Sequence, residues 1–133
     1  MTTDTIKELP ALLAELGVTA KAVRIDHPVS APKWARADNT AAYRVTVTYS
    51  GRRTSLYFYC GSAVKSAPSA ADAVYALARD YDSSIYTLQE FGDEFGWNSE
   101  TVDTYRAVKR NGAKFKRLFP ADDIRLNIAE SEY

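Results

Sequence analysis

One cysteine, Cys60, and one histidine, His27, are the only thiol and imidazole among 133 residues. A lone cysteine excludes an internal disulfide, and a structural zinc site, which takes about four Cys or His ligands, cannot be assembled. Neither a metal nor a cofactor is expected. Any nucleophilic dyad would have to use Cys60 and His27 themselves. His27 ends the strand-like stretch KAVRIDHPV and no orienting motif surrounds either residue, so a buried thiol and a strand-end histidine are the simpler reading. Phosphate-cradling and nucleophile-elbow motifs are missing as well, and no enzyme is expected. Long apolar runs are also lacking: none approaches the roughly 18 to 20 residues of a membrane span. The N-terminus MTTDTIKELPALLAELG has no basic start and no small-residue cleavage site, which points to the cytoplasm.

Net charge is missing too. Seventeen Lys and Arg balance seventeen Asp and Glu, so no global field draws the chain to nucleic acid or to an anionic membrane. With 46% apolar and 26% charged residues, neither disorder nor a fibrous class is favoured. A single domain over residues 1–133 is expected.

The spacing of Ile6, Leu9, Leu12, Leu13 and Leu16 predicts an N-terminal helix stopped by Gly17, with Pro10 moving its start to near Leu9 or Pro10. Residues 20–27 read as a strand. The segment from Pro28 to Thr40 reads as a loop carrying Trp34. Two alternating stretches, 42–49 and 53–60, flank Ser50-Gly51 and predict a hairpin. If Tyr49 faces Arg52, then Val47 faces Thr54, Val45 faces Leu56 and Tyr43 faces Phe58, which sets the core face. The opposite face carries Arg44, Thr46 and Thr48 beside Arg53, Ser55, Tyr57 and Tyr59.

Helices occupy 69–130. Ser69 with Asp72, and Thr87 with Glu90, form capping boxes. Val74, Leu77, Ala78 and Tyr81 give one buried stripe, and Leu88, Phe91 and Phe95 a second. Asn98 or Ser99 should cap the longest helix, with Val102, Tyr105, Val108, Phe115 and Phe119 inward and Pro120 at its end. A last stretch with Ile124 and Ile128 inward fades into an acidic tail. The fold class expected is α+β, a small three-stranded antiparallel sheet with helices packed on one face. The core should include Leu77, Phe91, Phe95, Val102 and Phe115.

Charge is neutral in total but unevenly placed. From Asp72 to Asp103 eight acids stand against Arg79 alone. Directly after come Arg106, Lys109, Arg110, Lys114, Lys116 and Arg117 with no acid among them, and Arg106, Arg110, Lys114 and Arg117 share one helix face. Such a stripe suits nucleic-acid phosphates, or it pairs with the acidic segment inside the fold. Asp80, Asp82, Glu90, Asp93 and Glu94 are acidic candidates for a partner surface. Tyrosine is frequent, at nine residues, and Arg44, Tyr57 and Tyr59 on the sheet face have the composition of protein-recognition surfaces.

The run TLQEFGDEFGWNSETVDTYRAVKRNGAKFKRLF resembles small accessory proteins of tailed bacteriophages and prophages, which carry an F-x-x-W/F … G-Y/W-D/N motif followed by a basic helix. Here Leu88 stands where that group usually has Phe, Phe91 where it has Trp, and Val102-Asp103 replaces a basic pair. The likeness spans residues 40–119. It implies a phage protein acting in the cytoplasm of a bacterial host, binding a host protein or ribonucleoprotein complex as an inhibitor or modulator, as anti-CRISPR and other anti-defence proteins do. The alternative is an accessory protein binding nucleic acid through the basic helix 106–117.

Overall fold

The computed structural model describes residues 9–27, 41–60 and 67–120, apart from the side chain of Cys60. Helix α1 (Leu9–Leu16) leads into strand β1 (Thr19–Ile25), and strands β2 (Ala41–Tyr49) and β3 (Arg52–Cys60) form the hairpin. Helices α2 (Ala70–Ser83), α3 (Leu88–Phe95) and α4 (Thr101–Leu118) follow. The three strands pair antiparallel in the order β1-β2-β3, so the fold is α+β, as expected.

Alternation sets the hairpin register. Tyr49 faces Arg52, Val47 faces Thr54, Val45 faces Leu56 and Tyr43 faces Phe58. Ser50 and Gly51 both take positive φ, 52° and 78°, a turn whose twist matches that of the flanking strands. β1 adds Ala20 and Ala22 beside Val47 and Val45, and these small residues leave room for the helices. Asp26 and His27 lie beyond the strand, which ends two residues earlier than expected because pairing stops at Ile25 opposite Ala42.

One core joins the layers. Leu9 and Leu13 of α1, Val45, Val47 and Leu56 of the sheet, Val74, Leu77 and Ala78 of α2, and Phe115, Leu118 and Phe119 are all buried in it. α2 and α4 meet at Gly112, where a Cβ would lie 2.6 Å from Ser84 Oγ and 2.7 Å from Ser84 Cβ. Only a residue without a side chain permits that approach. The hairpin tip docks on the end of α4: Arg52 Nε donates to the Leu118 carbonyl over 3.1 Å, and the Tyr49 and Phe119 rings lie 5.0 Å apart. A cation thereby covers carbonyls that the helix end leaves without partners.

Both capping boxes form, Ser69 with Asp72 and Thr87 with Glu90. The start of α4 differs from expectation. Glu100 occupies its N-cap without a side-chain bond, while Asn98 Oδ1 accepts from the Glu100 amide and Thr101 Oγ1 accepts from the Asn98 amide. Two assignments to the core are corrected. Phe95 is 57% exposed and Val102 39% exposed. α4 turns Thr101, Val108, Gly112 and Phe115 inward, and Val102 sits about 100° around from Thr101. α3 is eight residues long and buries Phe91, which meets Tyr105 at 5.4 Å, whereas Phe95 keeps ring contacts with Phe91 at 4.9 Å and Tyr86 at 6.0 Å and leaves the rest of its surface to solvent. Trp34, the loop from Pro28 to Thr40, the stretch with Ile124 and Ile128, and the Cys60 thiol lie outside the described residues.

Candidate functional site

Pairing and alternation place Lys21, Arg44, Thr46, Arg53, Ser55, Tyr57 and Tyr59 on the face of the sheet away from the helices. No strand residue on that face is acidic. Arg44 is exposed and stands directly across from Tyr57, which is also exposed; Arg44, Thr46, Arg53 and Ser55 line a shallow depression. Tyr59 is only half-exposed. Its ring stacks on His27 at 6.1 Å, and burial, then the neighbouring Tyr57, raise its phenol above the ordinary range. Of the sheet-face candidates, Arg44 and Tyr57 are thus presented to solvent more fully than Tyr59.

α4 carries the basic stripe to the edge of this sheet. Lys114 Nζ donates to the Ser55 carbonyl over 2.7 Å, anchoring the helix on β3. Beside that bond a groove of about 520 Å³ is lined by Leu56, Tyr57, Tyr59, Ala107, Arg110, Asn111 and Lys114. Burial, then the charges of Arg110 and Arg117, holds the Lys114 amine below its ordinary value. The sheet face and the basic helix, separate in the sequence, therefore meet along one edge.

Within the described residues the acidic segment meets this stripe in an ion pair at Arg106, and not at Arg110 or Arg117. Among the described residues, the ion pairs resolved are Arg106 with Asp103 on the same helix at 3.7 Å, and Arg79 with Asp80 at 3.9 Å. Lys109 instead donates to the Ser84 carbonyl and, with Tyr105 Oη donating to the Tyr86 carbonyl, ties the α2–α3 connection to α4. No carboxylate among the described residues lies within ion-pair distance of Arg110 or Arg117.

The five acidic candidates separate by role. Asp80 is turned into the fold: its side chain is 18% exposed and accepts from Asn111 Nδ2, and burial raises its pKa despite that bond and Arg79. Of the five it alone is not exposed. Glu90 closes the α3 capping box. Asp93 accepts from Trp97 Nε1 and from Gln89, which lower its pKa, while Asp82 and Glu94 face solvent.

An apolar surface that the sequence did not disclose surrounds α3. Among the described residues, five of the eight exposed large hydrophobic side chains lie within residues 85–102: Ile85 at 77%, Leu88, Phe95, Trp97 at 52%, and Val102. Trp97 rests on Gly92, its indole held by Asp93. The only available signal was the shortness of α3, too short to cover its own stripe. Among the described residues, no three His, Cys, Asp or Glu side chains converge as a metal site requires, and no helix is long and apolar enough to cross a membrane. No family model, curated protein or solved structure matches the chain.

Proposed function

We propose that the protein works by binding rather than catalysis, as a phage-type protein that inhibits or modulates a host protein or ribonucleoprotein complex such as a CRISPR-Cas effector. The observation that carries the binding reading is the concentration of exposed apolar side chains around α3. Single exposed hydrophobics are ordinary, but a cluster with aromatic members beside Asp93 and Glu94 has the make-up of a protein-recognition patch. The phage setting rests on the resemblance of residues 40–119. A pull-down from bacterial host lysate with tagged protein tests the reading. Wild type should retain one defined complex, and the double variant Phe95→Ser, Trp97→Ala should lose it while melting as wild type does.

A second reading is supported by Arg110 and Arg117, which have no carboxylate neighbour among the described residues. In that reading the face of Arg106, Arg110, Lys114 and Arg117 contacts phosphates. A gel shift that weakens steeply with salt would favour it over the first.

A further inference from the structure

β3 is the edge of the sheet, and the register fixes which of its backbone groups point outward. In a hairpin closed by a two-residue turn, the pair flanking the turn exchanges hydrogen bonds and pairs alternate from there. Tyr49–Arg52, Val47–Thr54, Val45–Leu56 and Tyr43–Phe58 are then the bonded pairs. The N–H and C=O groups of Arg53, Ser55, Tyr57 and Tyr59 therefore point away from β2. Ser55 confirms this, since its carbonyl receives Lys114 Nζ. The next outward residue, Tyr57, has no hydrogen-bond partner on its outer side among the described residues, and the groove beside α4 opens there.

We propose that this groove takes an extended acidic peptide as an additional strand on β3, its backbone pairing with Tyr57 and its carboxylates facing Arg110 and Lys114. Unpaired strand edges recruit extended chains, with main-chain bonds supplying affinity and side-chain contacts supplying selectivity. Leu56 and Ala107 form the apolar part of the lining, and Ala107 keeps the helix side low. Charge selects the occupant. Arg110 and Arg117 lie close enough to Lys114 to disfavour its charge, and Asp80, which the bonding network joins to the groove residue Asn111, is held by that amide. The Lys114–Ser55 bond closes one end, so the peptide runs from there past Tyr57.

Nucleic acid fits less well. Phosphates need cations but not an outward strand edge, and Tyr59 is stacked on His27 rather than presented as a platform for a base. The inference rests on the reading of the chain as a protein-binding protein, at a surface distinct from α3.

The experiment uses the full chain, a fluorescent peptide of alternating Thr and Glu, its Thr-Lys counterpart and a thymidine oligonucleotide. Saturable, anisotropy-detected binding of the Thr-Glu peptide alone is expected, with the Tyr57 amide slowed in hydrogen exchange. Arg110→Glu should weaken it about tenfold or more. Tyr57→Pro, which removes an outward N–H but no β2–β3 bond, should abolish it with the circular dichroism unchanged. Binding unaffected by Arg110→Glu, no protection at Tyr57, or a preference for the oligonucleotide would each overturn the groove assignment. A protein that captures its host complex through α3 yet binds no peptide would overturn this inference alone.

Discussion

Lys114 and Ser55 are 59 positions apart in sequence, and the 2.7 Å bond from Nζ to the Ser55 carbonyl joins the basic helix to the sheet edge. The bond is partly offset by the half-burial of the ammonium group and by Arg110 and Arg117. Lys114→Met keeps the aliphatic stem and removes both effects. Its cost should stay below about 1 kcal/mol in chemical denaturation, since a net hydrogen bond of ordinary size is opposed by relieved desolvation. A loss of several kcal/mol would mean that this contact anchors the fold far more than its geometry implies.

Asp80 gives a pH signature. Burial raises its pKa above the ordinary 3.8 against the opposing pull of Asn111 and Arg79. The folded state thus holds this proton more tightly than the unfolded state. The resulting stability is fully present below the unfolded pKa and is lost as pH rises through the folded pKa. Asp80→Asn should flatten that part of the stability profile and leave the protein no less stable than wild type at neutral pH. Melting curves of both proteins across the acidic range check it; an unchanged slope would place the burial effect elsewhere.

The capping boxes should differ in reach. Ser69→Ala and Thr87→Ala each remove a side-chain acceptor for an N3 amide, typically about 1 kcal/mol. α2 lies in the core, so the loss at Ser69 should appear in global unfolding. α3 is short and buries little besides Phe91, so the loss at Thr87 should appear as faster amide exchange confined to α3. Global destabilisation by both variants alike would show α3 to be coupled to the core.

At the crossing of α2 and α4, Gly112→Ala places a methyl against Ser84. Overpacking of this kind costs about 1–3 kcal/mol, which exceeds the gain in helix propensity of about 1 kcal/mol. The single variant should be destabilised, and adding Ser84→Gly, which removes the opposing Cβ, should recover part of the loss. A double-mutant cycle reads the coupling. Additive effects would mean that the clash is relieved by helix movement.

Local patterns in the chain determined a large part of this structure. Period-two alternation around Ser50-Gly51 is enough to specify the whole β2–β3 register, because a one-residue slip of β3 would turn Arg53 and Ser55 inward in place of Thr54 and Leu56. Ser69 with Asp72 and Thr87 with Glu90 are equally local, each cap being completed three residues away. The same periodicity identified Val74, Leu77 and Phe115 as inward-facing. Periodicity marks a face, however, and not whether another element covers it. Phe95 and Val102 lie on such apolar stripes and are nevertheless exposed, although Phe95 keeps ring contacts with Phe91 and Tyr86. Asp80 resembled a solvent-facing helix residue and is partly buried because Asn111, 31 positions later, meets it. The junction of Arg110 and Lys114 with Tyr57 at the β3 edge likewise exists only once α4 has folded back onto the sheet. These features were decided by tertiary structure, since each depends on contacts between elements whose separation in sequence carries no local signal.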